Sequence, residues 1–525
     1  MPNLFSDYVT GLPLALQFFE GTGGMLDRIS VRARATTPKL LPELYDYLVQ
    51  TNRETWQAGS LAKLASGART IVTGQQLGFF GGPVLTLYKA LTLVSLAKEL
   101  ENRFQIEVVP IFWLQSEDHD FEEIRTASFQ AAGESLHDVS LRGRQSGPSV
   151  GEILLEADEL NESSRYLAQL TEADPKWQEL LRSIYVPGAS LVSGFVKLMQ
   201  EVLSGTGILF FDPNSKSVKS LCKELIFRTF DEAPQIEEDL GNQGAALEGA
   251  GYQEQVALKP GYPLWFYSTG AERERLRIAG QRYVGKACNF SQDELKQEIE
   301  NRPERFTSSA LIRPVFQEYL FHSIAYVGGP AEVSYWAQTS QLFKRFGLMQ
   351  PVVVPRARVR VLEPKYKNIL EKIGADLPKL EGGLEKFLAD RFSGTEFDSS
   401  AAFAFIEGEL KETYLKLAAL FQKVDANLSK PNEQTFSSAQ QSYLRLKARY
   451  ERALSAREAL VTKQFGRVRE ALYPGGLAQE RKISMASFLL KYGDAFIDEV
   501  MAAIRPLNYE EILTVELGAG DENGK

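Results

Sequence analysis

The stretch RTIVTGQQLGFFGGPVLTLYKALTLVSLAKELENRFQIEVVPIFWLQSEDHDFEEI, from Arg69 to Ile124, decides the fold. Thr70 to Thr73 is a short β-branched run that stops at Gly74, and a glycine-rich turn follows. Pro83 suits a helix start, where its fixed φ and missing N–H cost little. Beyond it Leu87, Tyr88, Leu91, Val94 and Leu100 recur at helical spacing, and Ile106 to Leu114 is a nearly unbroken apolar run. Strand, helix and strand of these lengths predict a βαβ unit. The apolar second strand predicts a parallel sheet covered on both faces, and so an α/β fold.

A polar cluster follows each strand, at the carboxyl ends where open α/β sheets bind ligands. The first comprises Gln75, Gln76, Gly78, Gly81 and Gly82, a loop whose glycines allow backbone N–H groups to approach a ligand ahead of a helix. Taken alone it also reads as a tight turn. The second is Ser116, Glu117, Asp118, His119 and Asp120. Alone, this run also reads as a solvated acidic loop. As a metal site it is poorly supplied, since the chain adds only His137 and His322, and no metal is predicted. As an acid–base cluster it is well supplied. His119 can accept a proton near neutral pH, while Asp118 and Asp120 orient the ring and attract a cationic amine.

At 525 residues the chain exceeds one core, so two or three structural units are expected. A hydrophobic share of 44% and a charged share of 24% are ordinary for a globular protein. The net charge of -9 argues against a nucleic-acid partner, which needs a basic patch. Only Cys222 and Cys288 occur, too few for a zinc site and in keeping with a reducing cytosol. Cys222, beside Leu221 and Leu225, reads as a buried thiol. Without a signal-like start or an apolar run long enough to span a bilayer, no membrane association is expected and the location expected is cytoplasmic.

Elsewhere, Pro38 to Thr51 and Arg53 to Ala65 read as helices leading into the first strand. A polar stretch through Gly133 and Arg142 to Gly151 precedes helical segments around Ser163 to Leu203. GILFFD, ending at Asp212, is another strand followed by a helix, and QPVVVP, from Gln350 to Pro355, is the last. GYPLWFYS, RLRIAG and RYVG predict a small antiparallel insertion. From Phe403 to Leu472 a heptad pattern appears: Phe403, Leu410, Leu417 and Val424, with Ile406 and Leu420 on the companion seam. Pro431 interrupts it, and Tyr443, Leu446, Tyr450, Ala453 and Leu460 resume it, which predicts an antiparallel helical hairpin whose free seam favours a homodimer. The division expected is 1–130, 205–250, 305–385 and 473–525 in the core, 131–204 as a largely helical connecting region, 251–304 as the β-rich insertion, and 400–472 as the hairpin.

TGQQLGFFGGP followed by FWLQSEDHDFEEI resembles the paired signature of the cysteine-adding enzymes of bacillithiol synthesis, the BshC family. LIRPVFQEYLFHSIAYVGGPAEVSYWAQ, from Leu311 to Gln338, with VVVPR after it, resembles the same family's later motif, so the likeness spans nearly the whole chain. The resemblance implies a Rossmann-type core related to class I aminoacyl-tRNA synthetases, with connecting insertions and an antiparallel coiled-coil arm that mediates dimerisation. It implies a ligase that adds L-cysteine to glucosaminyl-malate as the last step of bacillithiol formation.

By analogy with class I synthetases, Asp118 or Asp120 would hold an α-amino group. The loop from Gln75 to Gly82 departs from the synthetase His-x-Gly-His signature in having no histidine, so adenylation there is put in doubt. ATP or ADP, phosphorylation, or a preactivated donor all stay open as the means of activation. The later motif adds Arg313, Gln317, Gly328, Gly329 and Glu332 as substrate-binding candidates, with Glu117 and the Gln75–Gly82 loop. Arg313 suits a bidentate carboxylate clamp or a buried ion pair. His322 reads as a packed core histidine on a helix. KISMAS, from Lys482 to Ser487, looks like a synthetase lysine loop but runs straight into a helix, and no Walker-type motif occurs. Two other functions are kept: a non-catalytic metabolite-binding dimeric scaffold, and an aminoacyl- or nucleotidyl-transferase acting on another amine.

Overall fold

Five strands, β1 (Arg69–Gln75), β2 (Val108–Leu114), β3 (Leu209–Phe211), β4 (Ala325–Gly328) and β5 (Val352–Pro355), form one parallel sheet in the order β5-β4-β1-β2-β3. They belong to a computed structural model that describes residues 3–36, 38–130, 136–143, 149–270, 272–395, 399–509 and 511–517. The period of two along each strand sends neighbouring side chains to opposite faces. Ile71, Phe112, Phe210, Val327 and Val354 enter one core cluster; Val72, Trp113, Phe211, Tyr326 and Val353 enter the other. Both faces are buried, as an all-parallel sheet requires.

Helix α1 (Leu85–Phe104) covers the first face with Leu87, Leu91, Val94 and Leu100. Helices α2 (Lys216–Leu221), α3 (Arg313–Phe321) and α4 (Pro330–Gln338) serve the other, α3 with Val315, Phe316 and Leu320 and α4 with Val333 and Trp336. The chain starts in the middle at β1, adds β2 and β3 on one side, then returns to place β4 on the other. The β1–β4 boundary is therefore the switch point at which such sheets leave a crevice above the carboxyl ends.

The connecting region holds the helices Asn161–Gln169, Pro175–Ile184 and Leu191–Val202, preceded by a hairpin of Thr126–Gln130 with Leu136–Ser140 that the sequence does not predict. Gly133 lies outside the described residues. The insertion contains two antiparallel three-stranded sheets. In one, Trp265–Ser268 pairs with Arg273–Arg275 and with Phe306–Ser308, so this sheet reaches past the expected boundary at 304. The insertion also carries a helix, Gln292–Asn301, with Ser291 as its N-cap.

The core unit comprises Met1–Val361 with Gln479–Lys525, and Leu362–Ala478 is a second unit. The helices Pro364–Ile373 and Leu377–Gly382, expected in the core, belong to the second: Tyr366, Leu370 and Leu380 bury against Phe465, Val468 and Leu472. Its long helices α5 (Ser400–Val424) and α6 (Ser429–Arg457) pair as a hairpin, with Tyr443 Oη donating to Phe403 O at 2.5 Å and the Tyr414 ring against Phe436. The seam is displaced from the one expected. Phe403, Leu410 and Leu417 do face inward, but with Tyr414 and Phe421, whereas Ile406, Leu420, Val424, Leu446 and Leu460 are exposed. Among the described residues no helix is long and apolar enough to cross a membrane.

Candidate active site

A cavity of about 740 Å³ opens at the switch point. Gln75 and Gln76 from the end of β1, Glu117, Asp118 and His119 after β2, and Arg313, Gly329 and Glu332 from the later motif all line it. Residues more than two hundred positions apart meet there because β1 lies between β2 and β4.

Asp118 is held from several directions. Gln76 Nε2 donates to its Oδ2 at 2.5 Å, and the His119 backbone N–H donates to Oδ1 at 2.7 Å. Arg273 Nη1 lies 3.9 Å from the same oxygen. Burial alone would push this carboxyl up, but the bonds from His119 and Gln76 and the Arg273 charge outweigh it and hold it well below the usual range. His119 Nδ1 is 2.8 Å from Arg273 Nη1 and 3.3 Å from Asp118 Oδ1. Glu123 also lines the cavity; desolvation, with the charges of Asp118 and Asp120 added, pushes its carboxyl up.

Two of the expected ligand groups are already spent on the protein. Glu117 is buried and takes the ammonium of Lys219, while Ser308 donates to it from Oγ at 2.6 Å and from its backbone N–H at 3.2 Å. Lys219 in turn sits 4.7 Å from the Phe316 ring centroid. Glu117 thus ties the β2 end to α2 and to the insertion. Glu332 faces Lys89 at 2.5 Å and accepts from Tyr326 Oη at 2.5 Å and Gly329 N at 2.7 Å. Burial raises its carboxyl, yet Lys89 and Arg313 hold it below the ordinary value.

Arg313 is different. It is 7% exposed, donates to Tyr335 Oη, and has no carboxylate within ion-pair distance among the described residues. Its Nη1 is buried without a partner. The buried-ion-pair alternative is thereby removed, and a buried cation with an unused N–H is left beside a cavity. Among the described residues seven Lys and Arg line the cavity against four Asp and Glu, so the site is locally cationic within an acidic chain and suits an anionic ligand.

Five of the expected residues lie away from the lining. Gly81 and Gly82 are buried behind the loop at φ 83 and φ 68, and a Cβ on Gly81 would come 2.9 Å from Met485 Cε. A Cβ on Gly78 would come 2.4 Å from Gly82 Cα, so these glycines close a turn upon itself and do not form an anion cradle. Gln317 is buried and donates to Glu318 at 3.0 Å. Gly328 ends β4 one residue short of the lining, which begins at Gly329. Asp120, also off the lining, accepts from Glu123 N at 3.2 Å and caps the short helix Phe121–Ile124. His322 is half-buried at the end of α3 with φ 44 and is not a packed core residue.

Several lining residues carry no mark in the sequence-predicted set. Arg273 and Arg275, two apart on one insertion strand, both reach the Phe266 ring, at 3.7 and 4.7 Å from its centroid. The alternation Arg-Glu-Arg on a strand was the available signal. Lys89, in the apolar run of α1, was another. Lys482 of KISMAS pairs with Asp138 at 3.2 Å, while Arg481 before it reaches the cavity. The Cys222 thiol is buried and pushed up, and desolvation with Glu274 raises the half-buried Cys288 to about 11, so neither is an activated nucleophile.

Residues 2–357 match the family model described as the N-terminal Rossmann-like domain of bacillithiol biosynthesis BshC, and residues 359–515 match its C-terminal coiled-coil domain. The chain is 31% identical over 520 residues to a Salinibacter ruber protein named "Putative cysteine ligase BshC", covering 96% of this chain and 94% of that protein. Proteins of the same name from Koribacter versatilis and Staphylococcus carnosus are 31% and 27% identical, over 85% and 89% of this chain and 83% and 88% of theirs.

Proposed function

The chain belongs to the bacillithiol biosynthesis BshC family, and from that premise we propose that it is a cytoplasmic ligase joining L-cysteine to glucosaminyl-malate, the last step of bacillithiol formation. The single observation that carries this reading is that an ionised Asp118 and an unpaired, buried Arg313 line the same cavity. Amide formation between these two substrates has to handle a positive amine and a spectator dicarboxylate together, and the cavity offers a group for each.

Arg313 takes a malyl carboxylate through its free Nη1 and holds the acceptor. Asp118 draws the ammonium to the far end and orients it. The ammonium loses a proton to a cavity carboxylate, and Glu123, raised as it is, accepts more readily than Asp118. The freed nitrogen attacks the activated cysteine carboxyl carbon; the C–N bond forms and the leaving group departs with one carboxyl oxygen. A free carboxylate does not condense unaided, and ATP is the activating co-substrate proposed. Arg275 and Arg481, on the lining without a carboxylate within ion-pair distance among the described residues, supply charge for its phosphates.

The exposed apolar residues Phe405, Ile406, Leu420 and Leu446 support homodimerisation through the hairpin. The reading is tested by incubating purified protein with L-cysteine and glucosaminyl-malate, with and without ATP, and following bacillithiol by thiol labelling and mass spectrometry. Product that accumulates with protein and ATP supports it; none under any of these conditions overturns it.

A further inference from the structure

His119 sits between two groups that make opposite demands on one ring nitrogen. Asp118 Oδ1, 3.3 Å from Nδ1, asks for an N–H there; Arg273 Nη1, at 2.8 Å, asks for a lone pair. A guanidinium has donors only and stays protonated, so the contact it makes has one sense. Asp118 also accepts from the His119 backbone N–H and from Gln76, so two donors remain to it whichever way the ring is protonated.

Arg273 has little freedom to yield. Its Nε donates to Thr307 Oγ1 at 2.7 Å, its Nη2 to Ser308 O at 2.8 Å, and its Cζ lies 3.7 Å from the Phe266 ring centroid. The side chain is 7% exposed. All of these anchors belong to the insertion sheet, which thereby aims Nη1 at the loop after β2.

The geometry points to Arg273 as a positioning residue that fixes the tautomer of His119: by occupying the Nδ1 lone pair it leaves the neutral ring protonated on Nε2, so that the imidazole meets the substrate as a hydrogen-bond donor. Among the described residues Nε2 has no protein partner, and the ring lines the cavity. A donor there serves an oxygen of the acyl group or of its activating phosphate, and does not take a proton from the amine. This inference rests on the ligase reading for its purpose, although its geometry does not.

The test is nitrogen NMR of the full chain labelled with ¹⁵N-histidine, without substrates and at a pH where the rings are neutral. The chain has three histidines, and His119→Asn assigns the signal. Wild type is expected to show a bare Nδ1 and a protonated Nε2. Arg273→Met is expected to move the proton to Nδ1, facing Asp118, whereas Arg273→Lys and Asp118→Asn keep it on Nε2. A protonated Nδ1 in wild type, or an unchanged tautomer in folded Arg273→Met, overturns the assignment. If Arg273→Met does not fold, wild type decides, because a carboxylate beside Nδ1 draws the proton there unless another donor holds that site. No outcome depends on turnover, so failure here is distinct from failure of the ligase reading.

Discussion

Gln76 donates to Asp118 across 2.5 Å, binding the loop after β1 to the loop after β2. The bond joins neighbouring strand ends of the sheet and holds Asp118 by Oδ2, while Arg273 faces Oδ1. A hydrogen bond to a charged group contributes about 1.5–3 kcal/mol. Gln76→Leu should therefore lower kcat/KM about tenfold to a hundredfold, with Asp118→Asn lowering it further. Steady-state kinetics with varied glucosaminyl-malate checks both.

Arg313→Met should raise KM or Kd for glucosaminyl-malate by about tenfold to a hundredfold, since the proposed charge-assisted pair to the malyl carboxylate would be lost. Glu332 keeps its direct partners Lys89, Tyr326 and Gly329 and loses only the more distant Arg313 charge, so the loss of stability should be small beside the loss of binding. Calorimetric titration of the acceptor, beside a urea unfolding curve, separates the two effects.

Glu117 should behave oppositely. Glu117→Gln leaves the Lys219 ammonium buried without its counter-charge and should cost about 3–5 kcal/mol of stability. The double change Glu117→Leu with Lys219→Met should recover most of it. Urea midpoints of the three proteins test this, and a near-neutral single variant would contradict the structural role.

Glu318 is buried against Arg32, 3.6 Å away, and burial pushes its carboxyl up to about 7 despite that charge and bonds from Ser323 and Gln317. Its unfolded value is about 4.3. A carboxyl raised in the folded state favours folding below the unfolded value, and that contribution is lost as pH rises through about 7. Urea midpoints of wild type should fall between pH ~5 and pH ~8 by a component that Glu318→Gln removes.

The hairpin carries Leu420 and Leu446 at 54% and 62% exposure. Leu420→Glu with Leu446→Glu should abolish the proposed dimer while leaving far-UV circular dichroism unchanged, since both side chains are mostly exposed within the chain. Sedimentation velocity reads the outcome.

The sheet was legible because its signals are local: β-branched and apolar runs at strand length, and an apolar helix between two of them. The meeting of Gln76, Asp118, His119 and Arg313 followed from placing polar residues at strand ends. Arg273 was not legible in the same way, because its role depends on an insertion sheet folding back over the loop after β2, a long-range event without periodic trace. The glycines misled for a physical reason. A glycine required by backbone contact, as between Gly78 and Gly82, is written identically to one required by a ligand. The hairpin seam slipped because Tyr414 and Phe421 compete with Ile406 and Leu420 for the companion position, and heptad spacing fits either pair.

The most direct measurement is a crystal structure with glucosaminyl-malate bound. A malyl carboxylate is expected within hydrogen-bond distance of Arg313 Nη1, with the glucosaminyl nitrogen against Asp118 in the same cavity. A ligand seated elsewhere, with Arg313 and Asp118 both unengaged, would contradict it.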